Sequence, residues 1–256
     1  MSNKHSDVFV HMIEQSNTIY WLKRCGEDKR NVINKTINFY LKRQKNLSHL
    51  TLTSGLSPKE RFQQEVSVLE YAHQHHLPTP EVVFKGRSFF VTKNAGEPIH
   101  RANPSLHAEL FHKAVATLCQ FHRKNIIHGR PAMRDIVADE QGDITFLDFE
   151  EARLSNSPTL RTRDFLLFLL DSYRLKSVTQ EQRLAALLNW YHEFGEGTDS
   201  AFRFVESTLS RFGWIGKVIL KFRRNRLSKQ LLALQVLLTE FEAEKHAQRQ
   251  TLSSVQ

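Results

Sequence analysis

The sequence predicts an α+β protein of two lobes, a small β-rich N-terminal lobe over residues 1–95 and a mostly helical C-terminal lobe over residues 96–256. Short runs of alternating aromatic and branched residues occur in the first part, whereas longer runs with apolar residues at helical spacing dominate the second. At 256 residues the chain exceeds the commonest domain size, which favours a division into two lobes. The hydrophobic fraction of 40% is ample for a packed core.

Two strands are predicted near the N-terminus, at Val8 to Ile13 and at Thr18 to Lys23, joined by the link Glu14 to Asn17. The second strand alternates and is rich in aromatic and branched residues, so it places Lys23 on one face of a sheet. Lys42 is a competing strand lysine because its local string is similar. Apolar residues recur every four positions around Lys42, however, which favours a basic amphipathic helix over Asn31 to Lys45. We therefore favour Lys23.

A further helix is predicted to begin at Ser57, with this serine as the N-cap and Pro58 at the first helical position. Its apolar stripe consists of Phe62, Val66 and Leu69. This spacing places Glu65 beside the stripe rather than opposite it. The helix therefore carries an acid close to its buried face.

Two strands follow at Glu81 to Phe84 and Arg87 to Thr92, and a Gly-Pro connector at Gly96 to Pro98 ends the small lobe. Beyond it the pattern becomes helical. The predicted helices are His107 to His122, Leu160 to Arg174, Gln180 to Phe194, Ala201 to Arg211 and Gly216 to His246.

The segment from Ile126 to Glu151 predicts a short hairpin around the polar turn Ala138 to Asp143. Such a hairpin brings Asp135, just before its first strand, and Asp148, just after its second, to the same edge. Two converging carboxylates suit Mg²⁺, which keeps water and phosphate oxygens at its remaining positions. The alternative is that Asp135 caps a turn and Asp148 merely ends a strand.

The order of motifs resembles that of the protein-kinase-like superfamily, in which H-R-D-x-x-x-x-N precedes a hairpin and D-F-G. Here His128-Gly129-Arg130 stands at the place of H-R-D, Asp135 at the place of the asparagine, and Asp148-Phe149-Glu150 at the place of D-F-G. The string Phe121 to Gly129 is similar to the same junction in small bacterial kinase-like proteins. Most of the chain resembles the lipopolysaccharide kinase family, which includes the kinases of the inner-core sugar Kdo.

This resemblance implies a two-lobed protein-kinase-like fold with ATP and Mg²⁺ as cofactors. The implied acceptor is a sugar hydroxyl of an envelope glycolipid or, as an alternative, a protein Ser or Thr. Lys23 would hold the nucleotide phosphates, Glu65 would orient Lys23, and Asp135 and Asp148 would bind Mg²⁺. Asp164 matches a large-lobe aspartate that fixes the catalytic loop. Its other interpretation is an acid at the start of a helix, favoured by the helix dipole.

Two departures from the family pattern leave the chemistry open. Arg130 occupies the place of the aspartate that accepts the substrate proton, and a guanidinium cannot act as a base. Asp135 or His128 would then act as the base, or Arg130 would bind the transferring phosphate. The glycine-rich phosphate loop is also missing. The departures motivate an alternative to the phosphotransferase, a pseudokinase that binds nucleotide or a partner without transferring phosphate, but the phosphotransferase is favoured.

Charge and composition suggest a partner and a location. The formal charge is +9, and the segment Arg211 to Lys229 has seven Lys or Arg and no acid. A basic amphipathic segment of this kind favours an anionic membrane or glycolipid, although a helix packed on the large lobe explains it equally well. No nucleic-acid motif accompanies it. Two cysteines, the lack of a secretory segment and the lack of a run of about 20 apolar residues predict a cytoplasmic protein. Binding of the basic segment to an anionic membrane would place the protein at the inner face of that membrane.

Overall fold

The computed structural model describes residues 9–25, 57–203 and 226–253. The predicted mixed α+β class is confirmed: short antiparallel sheets occur together with long helices. The predicted helix over Asn31 to Lys45, with Lys42, lies outside the described residues. So do most of the segment Arg211 to Lys229 and the larger part of Ala201 to Arg211.

The chain forms two compact units, each drawn from three stretches. The stretches of unit 1 are Met1–Glu97, Gln120–Gly129 and Asp135–Ser155. The stretches of unit 2 are Pro98–Cys119, Arg130–Arg134 and Asn156–Gln256. The hairpin that was predicted within the second lobe therefore belongs to unit 1.

A four-stranded antiparallel sheet in unit 1 has the order β1-β2-β4-β3. Its strands are β1 Val10–Gln15, β2 Thr18–Arg24, β3 Val82–Lys85 and β4 Phe89–Lys93. The predicted four-residue link between β1 and β2 is wrong, because Glu14 and Gln15 pair with Ile19 and Thr18. Ser16 and Asn17 close the turn alone, with φ of 50° and 60°. Two positive φ angles match the right-handed twist of the flanking strands.

Helix α1, Pro58–Gln74, begins as the sequence predicts. The Ser57 hydroxyl accepts a hydrogen bond from the Glu60 amide, and the Glu60 carboxylate accepts one from the Ser57 amide at 2.7 Å. This reciprocal pair satisfies two amides that the helix itself leaves unbonded. Phe62 is buried and lies 5.8 Å from the ring of Phe90, measured between centroids. Phe90 pairs with Lys23 across the sheet, so α1 packs on the face that carries Lys23.

The predicted hairpin is confirmed as β7 Ile136–Ala138 and β8 Ile144–Phe146. Ile136 pairs with Phe146, and one step further out the carbonyl of Asp135 accepts a hydrogen bond from the Leu147 amide at 2.7 Å. The backbone of Asp135 therefore lies beside the residue that precedes Asp148. Two short strands, β5 Glu97–Pro98 at the side of β7 and β6 Ile126–Ile127 paired with β9 Arg153–Leu154, complete the described strands.

Helices account for most of the rest of the described chain: α2 His107–Arg123, α3 Pro158–Ser172, α4 Gln180–Phe194 and α5 Arg226–Ser253. In unit 2 the rings of Phe165 and Trp190 stack with centroids 4.8 Å apart and join α3 to α4. Arg183 is buried and donates to the carbonyls of Ser172 and Val178 at 2.8 and 2.7 Å. None of the described helices combines the length and the apolar composition needed to cross a bilayer.

Candidate functional site

Three charged side chains from distant parts of the sequence meet within unit 1. The Lys23 ammonium donates to Glu65 Oε1 at 2.6 Å and to Asp148 Oδ1 at 3.0 Å. The side chain of Glu65 is 4% exposed, whereas those of Lys23 and Asp148 are 21% and 26% exposed. Glu65 is thus the buried member of the cluster, and the other two retain access to solvent.

Local structure explains why these three side chains converge. Lys23 lies on the sheet face that α1 covers, and Glu65 lies beside the buried stripe of that helix. Asp148 follows β8 in the left-handed conformation, with φ of 60° and ψ of 64°. Aspartate tolerates this conformation better than most residues because its short polar side chain bonds locally. The turn redirects the chain immediately after the hairpin.

The cluster holds Lys23 in its charged form. Burial disfavours the ammonium, but the carboxylates of Glu65 and Asp148 outweigh burial and raise the pKa of Lys23 above its ordinary value of 10.5. Burial also raises the pKa of Glu65; Lys23 opposes this shift, and the charges of Asp148 and Glu150 add to it. A protonated lysine with partial exposure is a suitable donor to an anion.

Two further contacts join α1 to the turn after Asp148, and sequence reasoning did not find them. Arg61 forms an ion pair with Glu150, and the Gln64 side-chain amide donates to the carbonyl of Ala152. The short 3-10 turn Phe149–Glu151 brings Glu150 toward the helix. The sequence contained one sign of these contacts: Arg61, Gln64 and Glu65 are spaced so that they share one face of the helix.

His128 and Gly129 shape the backbone around the cluster. His128 is 1% exposed, donates through Nε2 to the carbonyl of Leu147 at 2.9 Å, and packs 4.8 Å from the ring of Phe149. Gly129 has φ of 91°, and a Cβ there would lie 2.4 Å from the Glu151 carbonyl oxygen. These contacts give His128 a positioning role, because its ring is sealed from solvent. That His128 acts as a base in catalysis remains a prediction.

For two other predicted site residues, Asp135 and Arg130, the structure gives the burial and the backbone position. Asp135 is half-buried, and its backbone joins the hairpin as described above. Arg130 is exposed and belongs to unit 2. Within the described ranges, no group of three or more His, Cys, Asp or Glu side chains is arranged to hold a metal ion. The Asp135 and Asp148 pair therefore remains a predicted Mg²⁺ site that depends on water and phosphate oxygens for its other ligands.

An aspartate that the sequence did not single out fixes the loop 130–134. The carboxylate of Asp171 accepts a hydrogen bond from the Met133 amide at 2.7 Å and one from Arg174 at 2.6 Å. Asp164 is fully buried inside α3. Its interpretation as an acid at the start of a helix is wrong, because α3 begins six residues earlier, at Pro158. Its predicted part in fixing the loop stays a prediction.

No family model matches the chain. An uncharacterized protein of Haemophilus influenzae is 28% identical over 191 residues, which cover 72% of this chain and 78% of that protein. The similarity thus extends over most of both chains. The description of that protein states no activity, so it assigns none to this chain.

Proposed function

We propose that this protein is an ATP-dependent phosphotransferase of atypical kinase type, acting on a sugar hydroxyl of an envelope glycolipid. The main support is the position of the Lys23 ammonium between Glu65 and Asp148, at 2.6 and 3.0 Å. In the sequence, Glu65 and Asp148 lie 42 and 125 positions after Lys23. Convergence over such distances in sequence, at a partly exposed position, is typical of a functional cluster rather than of scattered surface charges.

Each side chain has a role in the proposed site. Two of the three N–H groups of Lys23 reach Glu65 and Asp148, and the third has no acceptor among the described residues, which leaves it for a phosphate oxygen. Glu65 fixes the ammonium in place. Asp148, with Asp135, offers the hard oxygen ligands that Mg²⁺ prefers. Mg²⁺ would neutralise charge on the phosphate groups, and phosphoryl transfer depends chiefly on such neutralisation and on positioning.

The acceptor class follows from the resemblance and from the charge. A formal charge of +9 favours approach to an anionic glycolipid at the membrane surface. The basic segment Arg211 to Lys229 is the proposed contact with that surface. A protein Ser or Thr is the alternative acceptor.

One observation favours a second candidate, the pseudokinase. Arg130, at the place where the family carries its proton-accepting aspartate, is exposed, and a guanidinium remains protonated at every physiological pH. In this alternative, Lys23 and Asp148 bind the nucleotide but no phosphate is transferred.

Incubation with γ-labelled ATP, Mg²⁺ and extracted envelope glycolipid tests the proposal. The parent protein should label the glycolipid, and Lys23→Met should reduce labelling by at least about a hundredfold, because loss of a buried charge partner commonly costs several kcal/mol. Lys85→Met is the matched control. Lys85 is also a strand lysine paired with a glutamate of α1, Glu70, but it is 51% exposed, and its loss should leave labelling unchanged.

The outcomes separate the candidates. Labelling by the parent that is lost in Lys23→Met supports the transferase. Binding of Mg-ATP without any labelled acceptor supports the pseudokinase. Equal labelling by the parent and by Lys23→Met would contradict the site.

A further inference from the structure

One face of α1 carries three polar side chains with three different partners. Arg61 pairs with Glu150, Gln64 with the carbonyl of Ala152, and Glu65 with Lys23. Residues at positions i, i+3 and i+4 lie side by side on a helix. The same short stretch of helix is thus fastened to the strand that carries Lys23 and to the turn that follows Asp148.

We propose that Arg61 is a positioning residue, whose ion pair with Glu150 sets α1 against the turn after Asp148 and so keeps Glu65 on Lys23. This inference rests on the proposed function, because its purpose is to keep the phosphate-binding ammonium in place. It adds to that site a residue outside the Lys23, Glu65 and Asp148 cluster.

The burial of the pair makes it suited to this role. The side chain of Arg61 is 8% exposed and that of Glu150 is 27% exposed. A guanidinium at this depth is costly unless its charge is compensated, and the carboxylate of Glu150 supplies a compensating charge. The exposed pair of Lys85 and Glu70 on the same helix, at 51% and 54% exposure, lacks this property. Position along the helix and burial therefore distinguish Arg61 from an ordinary surface charge.

The apolar contacts of α1 do not depend on this pair. Phe62 still packs on Phe90 when Arg61 is replaced, since both rings lie in the unit 1 core. The expected effect of the substitution is therefore a helix that remains folded but holds Glu65 less firmly. This effect is measurable as the reactivity of the Lys23 amine.

Competitive acetylation of lysines, read by mass spectrometry of the Lys23 peptide with Lys113 as internal reference, tests the proposal. Arg61→Met and Glu150→Gln should each raise the relative labelling of Lys23 by about tenfold, because an interaction of this kind shifts an equilibrium by a decade or more. The exchanged pair, R61E together with E150R, should restore part of the protection. Glu70→Gln, the matched control on α1, should leave Lys23 unchanged.

Labelling of Lys23 within about twofold of the parent in either folded variant overturns the proposal. If Arg61→Met fails to fold, Glu150→Gln decides the question alone, since it replaces the more exposed partner by an isosteric amide. The labelling uses no nucleotide. A parent that transfers no phosphate, with Lys23 still sensitive to Arg61, would contradict the proposed function alone; an insensitive Lys23 in an active enzyme would contradict the positioning role alone.

Discussion

At the scale of single residues, the chemistry depends on how one ammonium is held. Lys23 is partly buried, which disfavours its charge, yet two carboxylates within 3.0 Å stabilise that charge. The stability that protonated Lys23 contributes is fully present below pH 10.5, the ordinary value, and is lost as the pH rises through the higher folded-state pKa. Across the physiological range, Lys23 is therefore a permanent cation.

This raised pKa predicts a specific pH dependence of amine labelling. In the native protein, acetylation of Lys23 should still be rising with pH above 10.5, whereas in the urea-unfolded chain it should level off near that value. The reason is that the folded site releases its proton only at higher pH. Glu65→Gln removes one of the two carboxylate partners, so it should move the native profile toward the unfolded one. Native and unfolded profiles with the same midpoint would show that Glu65 and Asp148 do not hold the ammonium.

The sequence predicted Lys23, Glu65 and Asp148 as candidates because each has a local signature: a strand pattern, a helical stripe or a position after a hairpin. It did not reveal Arg61, Glu150 or Asp171. Their contacts depend on side-chain directions in three dimensions, and neither an arginine on a helix nor a second acid after Asp148 differs from a solvated charge in a one-dimensional pattern.

At the scale of elements, helix boundaries were predictable where a cap defines them. Ser57 and Glu60 form the predicted start of α1, and α4 spans Gln180–Phe194 as expected. The start of α3 was predicted at Leu160 but lies at Pro158, because the cap is Ser157, whose hydroxyl accepts a hydrogen bond from the Leu160 amide. The prediction relied on apolar periodicity, which begins one turn later than the cap.

The turn at Gly129 gives a prediction at the same scale. Gly129→Ala should destabilise the fold by about 2 to 4 kcal/mol, because a Cβ at φ of 91° is strained and would lie 2.4 Å from the Glu151 carbonyl oxygen. Urea denaturation measures the loss. Gly142→Ala is the control, since Gly142 also has a positive φ, of 78°, in the hairpin turn. A loss at Gly129 no larger than that at Gly142 would show that the backbone contact is unimportant.

At the scale of the whole molecule, the sequence predicted the mixed α+β class of the structure. The predicted lobes divide the chain once, near residue 95, whereas the two compact units each draw on three stretches. The stretch Asp135–Ser155 belongs to unit 1 because its turn contacts α1 through Glu150 and Ala152. Periodicity describes a residue's own element, and it contains no information about contacts some 90 positions away.

The similarity to the protein of Haemophilus influenzae extends over most of the chain and is not limited to one motif. The protein of Haemophilus influenzae matches over 72% of this chain, more than the hairpin and its neighbours alone would give. An activity established for either protein would therefore justify an assay of the same activity in the other.

The central claim is that Lys23 and Asp148 bind a nucleotide together with Mg²⁺, and calorimetric titration with ATP in the presence and absence of Mg²⁺ tests it most directly. The parent should bind in a Mg²⁺-dependent manner, Lys23→Met should weaken binding by at least about tenfold, and Lys85→Met should bind as the parent does. Asp148→Asn, which keeps the left-handed turn accessible, should abolish the dependence on Mg²⁺. A parent that binds no Mg-ATP, or a Lys23→Met variant that binds it with unchanged affinity, would contradict the claim.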